Sequence, residues 1–98
     1  MNQTKPIGSA IRTYTGTLFD FAHPEDSPIS IEDIAHSLSL LCRFAGHCKK
    51  FYSVAEHSYR VSQVCPKEHA LWGLMHDASE AYTVDVPRPL KYLLGMEA

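Results

Sequence analysis

The chain has 98 residues, of which 45% are hydrophobic and 20% charged, and its formal net charge at pH 7 is −2. This length and balance indicate one globular domain at most, and the lack of a basic stripe gives no support for binding nucleic acid. The apolar runs are too short for a membrane span, and MNQTKPIGSA has no apolar signal core, so neither a membrane protein nor a secreted protein is expected. Three cysteines without a framework spacing favour a reducing, cytoplasmic setting.

The N-terminal part, residues 1–29, is predicted to be irregular or extended. The stretch IRTYTGTLFDF is rich in threonine and aromatic residues, and Gly16 lies between two short β-like runs. This pattern predicts a small β-hairpin. The following HPEDSP is predicted to be a loop because of its proline, aspartate and serine content.

The first two helices are indicated by their caps. Ser30 is a suitable N-cap, and the helix that it begins is predicted to end at Gly46, because glycine suits the residue after a helix. Ser53 with Glu56 three residues later forms a capping-box pattern that begins a second helix. His57 lies on the apolar face of that second helix, one turn before Val61.

A third helix is predicted to begin at Pro66 and to continue as far as TVDVPRP, whose two prolines do not fit inside a helix. A fourth helix is predicted to begin at Pro89. The fold is therefore expected to be all-α over residues 30–98, with about four helices. The predicted apolar faces contain Ile34, Leu38, Leu41, Ala45, Val54, Val61, Val64, Cys65, Leu71, Leu74, Met75, Ala78, Ala81, Leu90, Leu93 and Leu94.

The segment GLMHDASEAY places His76 beside Asp77 in an apolar setting, with Glu80 four residues after the histidine. Imidazole and carboxylate are standard ligands for borderline divalent metals. Adjacent helical positions point about 100° apart, so a third ligand has to come from another helix, and His57 is the best candidate. Glu80, on the same face as His76 in a continuous helix, would handle a metal-bound water rather than bind the ion.

Each of these residues also has an ordinary structural interpretation. A histidine on an apolar face is commonly a hydrogen-bonded boundary residue, and an aspartate or glutamate on a helix is commonly solvated. Cys42, His47 and Cys48 offer a second zinc hypothesis, although their spacing is not that of paired CxxC motifs. Loop or helix-surface positions are predicted for His23, His36 and His69.

The segments SVAEHSYRVS and LMHDASEAYTVDVPRPLKY resemble the HD-domain metal-dependent phosphohydrolases, above all the bacterial and prophage 5′-deoxynucleotidase-like members. The resemblance spans residues 31–94. It rests on a helix-borne histidine, a His-Asp doublet, an ASE tripeptide and an aspartate before a Pro-x-Pro-hydrophobic-Lys segment, all in order. It implies an HD-domain-like helical bundle.

The resemblance also implies roles for individual residues. His57, His76 and Asp77 would bind one divalent metal ion, with Mn, Co, Mg, Zn and Fe all compatible. Glu80 would assist the water that attacks phosphorus, and Asp85 would lie near the substrate.

Nucleotidase relatives carry an arginine followed by an aromatic residue upstream of the first histidine, and RFAGH supplies Arg43 and Phe44 for substrate binding. The planar guanidinium can donate two parallel hydrogen bonds to a phosphate. The alternative interpretation of Arg43 is a solvated arginine at a helix end.

The resemblance is incomplete at its C-terminal side. The family supplies a final aspartate ligand from a helix well after the doublet, and Asp85 is too close to the doublet helix for that role. Apart from Asp85, the only acidic residue beyond the doublet helix is Glu97. The chain is therefore expected to be a C-terminally short HD module, either a fragment or a short phage- or prophage-type variant, that self-associates as a homo-oligomer or binds a partner.

The function implied is hydrolysis of a nucleoside 5′-monophosphate. The alternative is a catalytically incomplete HD module that binds a nucleotide or a protein partner, for example a phage or prophage accessory protein.

Overall fold

The computed structural model describes residues 8–95 and is mostly helical, with a small two-stranded antiparallel sheet, as predicted. Residues 1–7 of the predicted N-terminal segment, and residues 96–98 with Glu97 and the end of the predicted fourth helix, lie outside the described residues. None of the described helices is long and apolar enough to cross a membrane. The elements are β1 (Ala10–Arg12), β2 (Leu18–Asp20), α1 (Ile31–Leu40), α2 (Val54–Val64), α3 (Ala70–Met75), α4 (Glu80–Thr83) and α5 (Arg88–Leu93), with 3-10 turns at Pro24–Asp26, Arg43–Gly46 and Lys67–His69.

Both predicted serine caps are present. The Ser30 hydroxyl accepts a hydrogen bond from the Asp33 amide at 3.0 Å, and the Ser53 hydroxyl accepts one from the Glu56 amide at 3.0 Å. Each bond satisfies an amide that has no partner within its own helix. The hairpin is also confirmed: its strands pair antiparallel, and Gly16 in the connecting turn has a φ of 96°.

The prediction that the first helix continues to Gly46 is wrong, because α1 ends at Leu40. Beyond it the chain is extended, and Cys42 forms an antiparallel bridge with Ser53. The amide of Arg43 donates to the Tyr52 carbonyl at 2.9 Å, so the backbone groups that would have continued the helix pair with the entrance to α2 instead.

The prediction of one continuous third helix is also wrong. From His76 the backbone tightens into 3-10 turns, with the Ala78 amide bonded to the Met75 carbonyl at 3.0 Å and the Glu80 amide to the Asp77 carbonyl at 2.9 Å. The His76 ring donates to the Gly73 carbonyl at 2.6 Å. In a continuing α-helix that carbonyl would accept from the Asp77 amide, so the side chain competes with the helical ladder where the helix ends.

The core lies between α1, α2 and α4. Among the described residues the buried apolar side chains are Phe19, Ile34, Leu38 and Val54. Phe19 of the hairpin stacks on Tyr82 with ring centroids 4.4 Å apart. Ser37 donates to the Ala81 carbonyl at 3.0 Å and so joins α1 to α4.

Asp33 fastens the hairpin turn to α1. Its carboxylate is buried and accepts from the Thr15 amide at 2.8 Å and the Thr15 hydroxyl at 3.0 Å. Burial alone would raise the pKa of Asp33, but hydrogen bonds from Thr15, Thr13 and Ser30 outweigh it and lower the pKa. The ionised Asp33 carboxylate therefore stabilises the folded protein. This stabilisation is present above the unfolded pKa of about 3.9 and is lost as the pH falls through the lower folded pKa.

Several residues predicted to be buried are exposed instead. Val64 is 83% exposed and Leu71 is 73% exposed, while Gly73 is the buried residue of α3. Gly73, the smallest residue of α3, therefore lies at the contact with α2, while the larger Leu71 side chain is exposed to solvent. On the predicted fourth helix, the exposed apolar side chains are Leu90, Leu93 and Leu94.

Gly73→Ala should destabilise the protein by about 1 to 2 kcal/mol. A Cβ at Gly73 would lie 2.7 Å from the Cys65 sulfur and 3.2 Å from Val61 Cγ1. Overpacking of this kind costs about 1–3 kcal/mol, which exceeds the gain of up to about 1 kcal/mol in helix propensity. Urea unfolding measures the change. On a Cys65→Ala background the same substitution should cost clearly less, and an equal cost would show that the Cys65 contact is not responsible.

Candidate functional site

Three predicted ligand residues meet between α2 and the end of α3. Ligand atoms of His57, His76 and Asp77 all lie within 4.8 Å of one another. Asp77 Oδ2 is 3.1 Å from His76 Nε2 and 3.6 Å from His57 Nε2. The three side chains are 20–25% exposed, so the cluster is partly buried but accessible. Two imidazoles and one carboxylate in contact form a donor set that suits Zn, Mn, Co or Fe.

The tautomer of His76 follows from its second hydrogen bond. A carbonyl oxygen only accepts, so the contact between Nδ1 and the Gly73 carbonyl requires the proton on Nδ1. In a neutral ring, Nε2 then carries a lone pair directed at the Asp77 carboxylate. Two electron-rich atoms at 3.1 Å need a cation between them, either a proton or a metal ion. Fixing a ring through its other nitrogen is the usual arrangement for a ligating histidine.

His57 is held in its neutral form. Burial lowers the pKa of His57, and the positive charge of Arg43 lowers it further, while Asp77 and Asp85 act in the opposite direction. The net shift is downward. A neutral imidazole has a lone pair available for a cation, so His57 suits a ligand role at neutral pH.

Glu80 lies close enough to Asp77 for the two carboxyl groups to interact. The predicted i, i+4 relation to His76 fails because the intervening backbone is 3-10, in which positions three apart share a face. Burial raises the pKa of Glu80 to about 7, and the charges of Asp77 and Asp85 and a hydrogen bond with Asp77 contribute to the rise. The carboxyl is therefore about half protonated at neutral pH when no cation is bound. Asp85 is close enough to influence the pKa of both Glu80 and His57.

Arg43 and Phe44 lie in the turn before α2, close to the cluster. The Arg43 guanidinium is 4.5 Å from the centroid of the Phe44 ring and 5.4 Å from that of Tyr52. Its positive charge is near enough to His57 to lower the pKa of that imidazole. The rings of Phe44 and Tyr52 thus hold the Arg43 guanidinium in this turn through cation–π contacts.

Two aromatic residues at the site were missed from the sequence. Trp72 stacks on His76 with centroids 5.7 Å apart, and Tyr52 meets His57 edge-on at 6.4 Å. Trp72 precedes His76 by four residues, so helical spacing could have identified it. No spacing rule connects Tyr52 to His57, because the contact depends on how the turn enters α2.

Other candidate ligand groups are weaker. His23, Glu25 and Asp26 can also bring their ligand atoms together, but all three are fully on the surface. Cys42 and Cys48 are in contact through their sulfurs at 3.3 Å. Within residues 8–95, no three-ligand group includes these cysteines, which leaves the second zinc hypothesis without a third ligand.

No protein-family model matches the chain. The uncharacterised protein YfdR of Escherichia coli K12 is 52% identical over 86 residues, covering 88% of this chain and 48% of the relative. The uncharacterised protein RCAP_rcc00048 of Rhodobacter capsulatus is 34% identical over 93 residues, covering 86% of this chain and 47% of the relative. The chain thus spans about half the length of the curated relatives it matches. The names of these relatives state no activity.

Proposed function

We propose that the chain carries the metal site of an HD-type phosphohydrolase that acts on nucleoside 5′-monophosphates. The observation that supports this most directly is the convergence of His57, His76 and Asp77, with the His76 tautomer set by the Gly73 carbonyl. The cluster combines a ligand from α2 with two from the end of α3, the next helix along the chain, as the doublet and the upstream histidine predict.

The donor set fits a divalent ion, which His57, His76 and Asp77 would hold. When bound, such an ion supplies positive charge for phosphoryl oxygens and eases deprotonation of water. The partial burial of the three side chains strengthens this effect, because charge interactions weaken in bulk water.

The remaining roles fall to neighbouring side chains. Glu80, next to Asp77, would take the proton of the attacking water in its ionised form, which the positive charge of a bound ion would favour. Arg43, held by Phe44 and Tyr52, would donate two hydrogen bonds to phosphoryl oxygens and stabilise charge that develops during transfer. Phe44 is 54% exposed, so its ring would offer an apolar surface to the nucleoside.

Phosphate release from the four deoxynucleoside 5′-monophosphates, measured on chelator-stripped protein with Mn, Co, Mg, Zn or Fe(II) added singly, tests this proposal. Metal-dependent release is the expected result. A ribonucleotide series and a non-nucleotide phosphate monoester provide the specificity comparison. Protein that binds none of these metals and releases no phosphate would contradict the proposal.

The exposed apolar surface favours a second candidate, a module that binds a partner. Leu93 is 79% exposed, and its neighbours Tyr92 and Leu94 are 74% and 60% exposed. Tyr92 and Leu93 line one surface cavity together with Arg88 and Pro89, and exposed apolar surface of this kind commonly marks an interface. A module of this type would bind metal or nucleotide without turnover.

Self-association is the expected property of this patch. The chain should sediment as a dimer or larger species at micromolar concentration, and Leu93→Glu should shift it towards monomer because a charge would then be buried. Val64→Glu is a matched control, since Val64 is 83% exposed on α2, away from this patch in sequence. A monomer across the concentration range, with both variants unchanged, would contradict a homo-oligomer.

A further inference from the structure

Two cysteines flank the turn that carries Arg43. Both are free thiols and half-buried, and their sulfurs are 3.3 Å apart. A disulfide bond is about 2.0 Å long, so closing the pair requires a small rotation of the side chains. The third cysteine, Cys65, instead packs near Gly73 between α2 and α3.

The backbone holds both thiols in place. Cys42 is paired with Ser53, and the next amide, that of Arg43, donates to the Tyr52 carbonyl. On the other side, the His47 amide donates to the Phe44 carbonyl at 2.9 Å, directly before Cys48. The first two contacts hold Cys42 against the entrance to α2, and the third closes the turn just before Cys48. This restraint raises the effective concentration of one thiol at the other.

We propose that Cys42 and Cys48 form a reversible disulfide by exchange with a small-molecule disulfide. The thiolate of Cys42 attacks one sulfur of the small disulfide and displaces the other as a thiolate, giving a mixed disulfide. The Cys48 thiolate then attacks the Cys42 sulfur and releases the second small thiolate. The two protein thiols lose two electrons and two protons, and the small disulfide gains the electrons and is reduced to two thiols.

The order of attack follows from the surroundings of the two sulfurs. The hydrogen bond with Cys42 and burial raise the pKa of the Cys48 thiol. The Cys48 thiol also donates to the Arg43 carbonyl at 3.9 Å, a contact that only the protonated form makes. Cys48 is thus the poorer initial nucleophile at neutral pH, since the thiolate is the reactive form. Its position in contact with Cys42 suits it to the second, intramolecular step.

The bridge would restrain the turn Arg43–Gly46, where Phe44 and Ala45 have positive φ values of 59° and 53°. The positions of Arg43 and Phe44 relative to His57 would then depend on thiol oxidation. Only this functional consequence rests on the proposed phosphohydrolase activity, because bond formation is measured independently of it.

Mass spectrometry of the full chain treated with oxidised glutathione tests the bridge. We expect a loss of about 2 Da, reversed by dithiothreitol, with Cys42 and Cys48 linked in the peptide map. Cys65→Ser, which keeps the pair, should behave the same way. Cys42→Ser and Cys48→Ser should form no internal bridge, and Cys48→Ser should carry glutathione on Cys42. Glutathione on both cysteines of the wild-type chain, or two thiols unreacted under conditions in which Cys65 reacts, would overturn the proposal.

Amide hydrogen exchange gives a readout that does not require catalysis. The His47 amide, bonded to the Phe44 carbonyl, should exchange at least several-fold more slowly in the bridged chain than in the reduced one. The Ala78 amide, in the 3-10 turn that follows α3 and bonded to the Met75 carbonyl, should exchange at the same rate in both. If the bridge forms but His47 exchange is unchanged, the restraint on the turn is refuted, whether or not phosphate release is observed.

Discussion

His76→Ala should reduce divalent-metal affinity by about 100-fold or more. The substitution removes one of three converging ligand atoms, together with the hydrogen bond to the Gly73 carbonyl that sets the ring. Loss of an outer partner of a ligand alone typically costs about 10- to 100-fold in affinity, and loss of the ligand itself should cost at least the upper end of that range. Isothermal titration of chelator-stripped protein with Mn or Zn measures the change.

His69→Ala is the matched control for this loss. His69 is an exposed histidine in the 3-10 turn that precedes α3, outside the three-ligand group. Its replacement should leave metal affinity unchanged, while His57→Ala should repeat the effect of His76→Ala. Unchanged ion content in both His57→Ala and His76→Ala would show that the site is wrongly assigned, provided that both variants unfold as cooperatively as the wild type.

Glu80→Gln should lower the rate of metal-dependent phosphate release by about 10²- to 10⁴-fold while leaving metal affinity within a few-fold of wild type. Glutamine keeps the size and one hydrogen bond of the side chain but does not accept a proton from water. The loss should appear in kcat rather than in KM, because Glu80 is proposed to act on the attacking water and not on substrate binding.

Glu68→Gln provides the control for a change of charge. Glu68 is exposed in the turn before α3, so its replacement should leave kcat unchanged. Undiminished phosphate release by Glu80→Gln under metal saturation would remove Glu80 from the mechanism. A large loss of metal affinity would instead place Glu80 among the ligands.

The features predicted correctly from the sequence are those that depend on few neighbouring residues. Ser30 and Ser53 cap helices because each hydroxyl reaches an amide three residues ahead. Gly16 turns the hairpin because a positive φ suits glycine. The juxtaposition of His57 with the doublet was also predicted, since an apolar helix face has to turn inward.

The errors arise where a side chain or a non-helical segment elsewhere in the chain competes for backbone hydrogen bonds. Periodicity alone could not predict that the His76 ring would bond to the Gly73 carbonyl and change the helical phase before Glu80. Nor could it predict that the chain after Leu40 would pair with the segment before α2. Buried faces were overestimated for a related reason: Gly73, with no side chain, lets α3 approach α2 closely, and Leu71 is then left outside.

The antiparallel backbone pairing of Cys42 with Ser53 also affects how the sequence of this region can diverge. Together with the hydrogen bond from the Arg43 amide to the Tyr52 carbonyl, it closes the base of a loop whose ends belong to the scaffold. Changing the length of a loop with fixed ends carries only a small entropic cost. Insertions after Cys48 and before Tyr52 should therefore leave the packing of the helices that present His57 and His76 unchanged.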